Sequence, residues 1–159
     1  FGGVDWGWTN PGALSVLGLT ADDAIWKLDE KKETRRSIDW WADEAEAMGK
    51  KWGVRDWFCD PSEPEHIARF DKKQGIRAHG GNNRVLPSIT EIGSRLGSDR
   101  FVISAGCPKT AAEYGTWEWK QTRSGEIRAD EPEDGDNHLI DSDRYAIMGI
   151  AKPRRAFVQ

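Results

Sequence analysis

The sequence is poor in cysteine, with two in 159 residues, and it has no apolar run close to the roughly 20 residues that span a bilayer. Cys59 and Cys107 are too few for a disulfide framework, so we expect a protein of a reducing compartment. The first residues do not have the pattern of a signal peptide, and we expect no membrane partner. A formal net charge of −4 argues weakly against nucleic acid as a partner, but basic pairs can still form a local DNA contact.

The length and the composition are those of a compact globular domain. Hydrophobic residues make up 37% of the sequence and charged residues 31%, which is an ordinary balance. The sequence contains no internal repeat and no low-complexity tract, so we predict a single domain over residues 1–159. The nine tryptophans are unusual, and we interpret most of them as core or rim packing.

The first half of the chain changes from a strand pattern to a helix pattern. Alternating apolar residues predict three strands in an antiparallel meander, over 1–8, 12–19 and 23–30. A helical period follows over 38–52, with Ser37 as its N-cap and Gly53 at its end. A strand is predicted at 54–59, and a capping box at 62–65 indicates the next helix.

The second half contains shorter elements. The pattern predicts a strand at 76–79, a helix from Leu86 to Leu96, a strand at 101–104, a helix at 108–115, a hairpin at 117–129, an acidic loop at 130–136 and a last helix from about Asn137 to Ala151. This order indicates an α/β fold with a mixed central sheet, helices on its faces and an additional β-hairpin.

Three aspartates lie where separate elements would bring acids together. Asp5 interrupts an apolar strand, where a buried charge needs a partner such as a metal ion, although its side chain would also fit a position facing solvent. Asp60 ends a strand, where it fits either a functional site or a turn before a helix. His138 and Asp141 share one face of the last helix. Their joint placement favours a site for Mg²⁺ or Mn²⁺, which prefer carboxylate ligands, and we interpret Asp143 as a solvated edge.

Three segments resemble the C-terminal nuclease domain of the large terminase subunit of tailed bacteriophages: VDWGWTNPGAL, FCDPSEPEHI and NHLIDSDRYAIMG. The resemblance extends from Phe1 to about Lys152 and implies a ribonuclease-H-like fold. The chain starts with Phe1, within a strand-like segment, so we expect a domain excised from a longer protein. The ATPase domain of that protein would precede Phe1.

The resemblance implies a metal-dependent endonuclease that cuts double-stranded viral DNA concatemers during genome packaging in the cytoplasm of an infected bacterium. Asp5, Asp60 and Asp141 match the family's catalytic, metal-binding aspartates. Asp5 would bridge two ions of Mg²⁺ or Mn²⁺ in a two-metal-ion hydrolysis, with Asp60 and Asp141 completing one coordination shell each. His138 and Asp143 are possible accessory ligands, although the family has an apolar residue at the latter position. The expected partners are double-stranded DNA, the ATPase domain of the same polypeptide, the small terminase subunit and the portal protein.

Duplex DNA requires phosphate contacts from basic side chains. The resemblance places the hairpin near the site, so its basic residues rank first as DNA contacts: Lys120, Arg123 and Arg128. Three residues outside the hairpin rank second: Arg84, Lys72 and Lys73. The pairs Lys50-Lys51 and Arg35-Arg36 are interpreted as solvated surface.

Several other functions are compatible with parts of the pattern. A Holliday-junction resolvase or a transposase-type nuclease would use similar acids on the same fold. VDWGWTN also resembles the phosphate-binding hairpin of actin-like sugar kinases, but the chain has no second phosphate loop and is too short for two lobes. A non-catalytic DNA-binding domain would not need the three aspartates, all of which are present.

Overall fold

A computed structural model of the chain describes residues 1–133 and 135–151, except for the side chains of 129–131. The central sheet has six strands, which are β1 (Gly2–Asp5), β2 (Gly12–Leu19), β3 (Ile25–Glu33), β4 (Asp56–Cys59), β5 (Arg77–Gly80) and β6 (Phe101–Ile103). The helices are α1 (Ile38–Trp52), α2 (Pro64–Phe70), α3 (Val85–Gly97), α4 (Pro108–Thr116) and α5 (His138–Ile150). A separate hairpin consists of β7 (Trp119–Gln121) and β8 (Ile127–Pro132).

The central sheet is mixed, as predicted, with the strand order β5-β4-β1-β2-β3-β6. The first three strands pair antiparallel, so the predicted meander is confirmed. The strands outside them, β4, β5 and β6, pair in parallel with their neighbours. This topology puts β1 in the middle of the sheet. A metal site or an active site at the end of β1 is therefore flanked by strands on both sides.

The helix α1 covers one face of the sheet and begins and ends as predicted. Ser37 accepts a hydrogen bond from the backbone N–H of Trp40, and Gly53 adopts a left-handed conformation with φ of 72° at the other end. The buried face of α1 contains Trp41, which packs with Trp57 and Phe70 in one hydrophobic cluster. Six of the nine tryptophan side chains are buried or half-buried, as predicted, and the exposed ones are Trp8, Trp26 and Trp52.

The helix α5 covers the other face, together with α3 and α4, and it approaches β1 very closely. A Cβ atom added to Gly3 would lie 1.8 Å from the backbone oxygen of Ser142 and 3.1 Å from the Cβ atom of Ala146. Only glycine allows this contact between strand and helix. The contact fixes how closely α5 approaches β1. It therefore also sets the distance between the carboxyl end of β1 and the residues of α5 that face that end.

Replacing Gly3 by alanine is therefore expected to lower the free energy of unfolding by about 3 kcal/mol or more, because backbone atoms cannot move aside without displacing α5. Urea unfolding would measure the loss. Gly93→Ala in α3 is the matched control, since no atom lies within 4 Å of the added methyl group and alanine is favoured in a helix by up to about 1 kcal/mol. Equal stability of the two variants would contradict the close approach.

Three local predictions are wrong. The capping box at 62–65 does not form, because the residue at the N-cap of α2 is Glu63 and it makes no side-chain capping bond. The acidic loop at 130–136 is in part the strand β8, which runs to Pro132. The first strand ends at Asp5 rather than at residue 8.

Both cysteines are free and buried. No described helix has the length and apolar character of a transmembrane segment.

Candidate functional site

Asp5 and Asp60 lie side by side at the carboxyl ends of two parallel strands. Val4 in β1 is in register with Cys59 in β4, and the backbone N–H of Asp60 donates to the carbonyl of Val4 at 2.8 Å. The next residue of each strand therefore carries a carboxylate at the same edge of the sheet. Ser62 holds the Asp60 carboxylate, donating to it from its backbone N–H at 3.0 Å and from its hydroxyl at 2.7 Å.

The first turn of α5 brings a histidine and a third aspartate to this edge. His138 Nδ1 lies 2.9 Å from Asp5 Oδ2, a contact between residues 133 positions apart in the chain. Asp141 lies on the same side of the helix and is mostly buried. The structure therefore brings together Asp5, Asp60, Asp141 and His138, four of the residues that the sequence indicates.

The pKa shifts show that these charges interact. Burial raises the pKa of Asp5 to about 6; the bond from His138 opposes this rise, whereas the charges of Asp141 and Asp60 add to it. Burial also raises the pKa of Asp141, and Asp60 adds to that shift. The hydrogen bond to Asp5 raises the pKa of His138. The carboxylates are therefore close enough to repel one another, and a cation among them would relieve that repulsion.

A divalent cation fits the chemistry of this cluster. Among the described residues, no three His, Cys, Asp or Glu side chains converge as a complete ligand set. Asp5 and Asp141 instead accept hydrogen bonds from His138 and Arg144. The carboxylate oxygens are nevertheless the ligands that Mg²⁺ and Mn²⁺ prefer, and their mutual repulsion is the condition that such an ion removes.

Arg144 is a buried member of the cluster that the sequence analysis did not identify. Its Nη1 atom bonds to Asp141, its Nε atom donates to Ser88 Oγ of α3 at 2.7 Å, and its Nη2 atom is buried without a partner among the described residues. The guanidinium carbon also lies 5.7 Å from the centroid of the Tyr145 ring. Arg144 therefore fixes the Asp141 carboxylate and links α5 to α3. The i, i+3 spacing of Asp141 and Arg144 was the available sequence signal.

Glu113 of α4 is a second residue that sequence reasoning missed. It is 5% exposed, and its Oε2 atom accepts hydrogen bonds from the backbone N–H groups of Leu139 at 2.8 Å and Ile140 at 3.1 Å. Its Oε1 atom accepts a bond from Lys32 Nζ at 2.6 Å. The N-cap residue Asn137 makes no side-chain capping bond, so a residue from another helix satisfies the first turn of α5. Glu113 thus holds the turn that carries His138.

Asp143 lies apart from the cluster, in the protein core. Lys27 Nζ of β3 donates to Asp143 Oδ1 at 2.6 Å, and the side chains of both residues are fully buried. Tyr114 donates to the other carboxylate oxygen at 3.4 Å. The interpretation of Asp143 as a solvated edge is wrong, because α5 is enclosed by the sheet on one side and by α3 and α4 on the other. Asp143 therefore pairs with Lys27 in this structure, and its role as an accessory ligand stays a prediction.

The six predicted DNA contacts lie in three places. Lys73 is ion-paired with Asp43 at 2.6 Å and with Glu46 at 3.0 Å. Lys72 and Lys73 line one groove between α1 and α2, together with both acidic and basic side chains. Arg84 is exposed directly before α3. The remaining three belong to the hairpin: Lys120 is half-buried on β7, Arg123 is exposed in the turn, and Arg128 is exposed on β8.

The sequence matches no protein-family model and no curated protein sequence. The structure, however, is similar to solved large terminases. The nuclease domain of the large terminase of bacteriophage SPP1, with bound Mn, is 26% identical and superposes with a TM-score of 0.74 over 92% of this chain and 83% of that chain. The large terminase nuclease of the thermophilic phage G20c, with bound magnesium, is 16% identical, with a TM-score of 0.70 over 91% of this chain and 78% of that one.

The large terminase of another thermophilic bacteriophage superposes with a TM-score of 0.80 at 22% identity. The match covers 94% of this chain but 39% of that protein. These neighbours confirm the predicted ribonuclease-H-like fold, with its mixed sheet and additional hairpin. They also confirm the resemblance to large terminase nuclease domains, which was based on three short segments of sequence.

Proposed function

We propose that this chain is the nuclease domain of a bacteriophage large terminase and that it cuts double-stranded viral DNA concatemers during genome packaging. The observation that carries the proposal is the cluster of Asp5, Asp60 and Asp141, which three separate elements bring to one edge of the sheet. Support comes from the fold, which is shared with the SPP1 nuclease domain, a structure that contains Mn.

The three aspartates would hold the divalent cations, and His138 would serve as an accessory group. Bound Mg²⁺ or Mn²⁺ would supply activation of water and neutralisation of charge at the phosphodiester. The chain itself contributes orientation, because each aspartate has a partner that fixes its carboxylate. These partners are His138 for Asp5, Ser62 for Asp60 and Arg144 for Asp141. Such outer contacts hold ligands in a productive geometry.

The hairpin is the proposed contact for duplex DNA, through Lys120, Arg123 and Arg128, with Arg84 as a further phosphate contact. Lys72 and Lys73 rank lower, because Lys73 is already paired with two carboxylates of α1. The packaging role implies an ATPase domain in the same polypeptide, a small terminase subunit and a portal protein as partners. It also implies action in the cytoplasm of the infected bacterium.

The expected result in a plasmid cleavage assay is nicking or linearisation with Mg²⁺ or Mn²⁺ and none with EDTA. Asp60→Asn should lower the rate by about a hundredfold or more, since charge stabilisation by a metal is worth several kcal/mol. Asp56→Asn is the matched control, because Asp56 lies at the opposite end of the same strand and pairs with Arg77 and His79. Cleavage that survives EDTA, or that Asp60→Asn leaves unchanged, would refute the proposal.

A further inference from the structure

A cavity of about 410 Å³ opens beside Asp60, on the side of the cluster away from α5. It lies between the loop after β1 and the starts of α1 and α2, and Trp6, Trp8, Arg36, Ser62 and His66 line it. Its size is in the range of pockets that bind small molecules or parts of larger ligands. The cavity shares Asp60 with the proposed nuclease site, so an occupant would lie next to the reacting phosphodiester.

Arg36 is held in place at the rim of this cavity. Its guanidinium carbon lies 4.9 Å from the centroid of the Trp40 ring, and no acidic side chain in the described part of the chain pairs with it. Its neighbour Arg35 has a φ of 55°, a conformation that non-glycine residues rarely adopt, and donates its backbone N–H to the carbonyl of Trp8 at 2.9 Å. This strained turn joins the loop after β1 to the start of α1, and such turns concentrate at functional sites.

Trp8 lines the same cavity as Arg36. Its side chain is 61% exposed, whereas the neighbouring Trp6 packs edge-on against Phe70 and donates to the backbone oxygen of Asp60 at 3.1 Å. The exposed ring of Trp8 lines the cavity and is therefore available to pack against an occupant. An exposed aromatic ring beside an arginine is the combination that nucleic-acid-binding surfaces use.

We propose that this cavity binds one nucleotide of the DNA strand next to the bond that is cut. Arg36 contacts a phosphate of that nucleotide, and the face of Trp8 packs against its nucleoside. Because Asp60 and Glu63 also line the cavity, Arg36 supplies the positive charge that a phosphate requires on this side. The inference rests on the proposed function, since a nuclease site at Asp60 requires a DNA strand beside it.

The test is binding of a short fluorescent duplex, measured by anisotropy in Ca²⁺ over a series of salt concentrations. We expect Arg36→Ala to weaken binding about tenfold and to reduce the slope of log affinity against log salt by about one, the signature of one lost phosphate contact. Trp8→Ala should weaken binding by a similar factor, as for one lost stacking contact, with an unchanged salt slope. Trp8→Phe should restore most of the affinity.

Two exposed residues outside the cavity provide matched controls. Trp26→Ala removes a ring that is 42% exposed on β3, and Arg100→Ala removes an exposed arginine that pairs with Asp23. Both variants should bind as the parent does. If Arg36→Ala and Trp8→Ala bind DNA as tightly as the two controls and the parent, the nucleotide site is refuted. If the parent also cleaves DNA with metal, the proposed nuclease function still stands. A parent that neither binds nor cleaves DNA refutes the proposed function as well.

Discussion

Replacing Asp5 by asparagine is expected to abolish nuclease activity while it makes the metal-free protein more stable. Activity should fall at least a hundredfold, on the order of the several kcal/mol that metal ions contribute to phosphodiester hydrolysis, because Asp5 is one of the proposed metal ligands. Stability should change in the opposite direction, because a buried aspartate among other carboxylates is unfavourable in its charged form. Function and stability therefore depend on this side chain in opposite senses.

The pH dependence follows from the direction of the shift. The pKa of Asp5 rises from 3.8 in an ordinary environment to about 6 in the fold, so the folded state binds the proton more tightly than the unfolded state. The metal-free parent thus loses stability as the pH rises from about 4 through 6, by up to about 3 kcal/mol. The asparagine variant lacks this loss, but it also lacks the charged bond to His138, so we expect a gain of about 1–3 kcal/mol above pH 7.

Thermal unfolding in EDTA between pH 4.5 and pH 8 would measure this difference. In the same scans with Mn²⁺, the parent should be more stable than Asp5→Asn, the reverse of the order in EDTA. Glu126→Gln, which changes an exposed carboxylate in the hairpin, should follow the parent in both conditions. A parent that is more stable than Asp5→Asn in EDTA at pH 8 would contradict the unfavourable charge of Asp5, which results from burial first and from the neighbouring aspartates second. The experiment does not depend on catalytic activity of the chain.

Replacing Lys27 by methionine should destabilise the protein by about 3–5 kcal/mol, because it leaves Asp143 buried without its cation. Burial raises the pKa of Asp143 even with Lys27 present, so the lone carboxyl group should become protonated more easily in the variant. The loss should therefore be smaller near pH 5 than near pH 8. Chemical unfolding at both pH values would show the difference.

The double variant Lys27→Met with Asp143→Leu separates the loss of the pair from the loss of one partner. Apolar residues of similar volume often replace a buried ion pair without net cost, so the double variant should recover most of the stability. An exposed pair, Lys73 and Asp43, offers a control in which a single substitution should cost less than about 1 kcal/mol. A double variant no more stable than Lys27→Met would contradict the expectation that the unpaired charge of Asp143 causes the loss.

Much of the fold was predictable because its periodic segments obey local rules. The helix α1 has its apolar residues at helical spacing between a serine cap and a glycine, and β2 alternates apolar with small residues. The placement of Asp60 at a strand end was predictable for the same reason, since it follows the apolar residues of β4. Asp5, in contrast, is predicted inside a longer strand and is the last residue of β1. The end of β1 at Asp5 and the uncapped start of α2 at Glu63 thus differ from what the local pattern of residues predicts.

The partners of the candidate site were not predictable from spacing alone. Glu113 and Lys27 meet α5 across many intervening residues, so their roles appear only when the helix packs on the sheet. The pair Arg35-Arg36 is interpreted from the sequence as solvated surface, whereas the structure places Arg36 at a cavity that Asp60 also lines. Its place beside Asp60 results from the turn at Arg35, which depends on a bond to Trp8 from another loop.

The order in which the ribosome makes the chain has a consequence for the contact between Asp5 and His138. These residues are 133 positions apart, and α5 is the last described element, so the two sides of the cluster cannot meet until nearly all of the described chain has left the ribosome. A nascent chain with β1 and β4 has two of the three aspartates but neither His138 nor Asp141. Synthesis itself therefore delays assembly of the complete cluster until the rest of the sheet is available to fold.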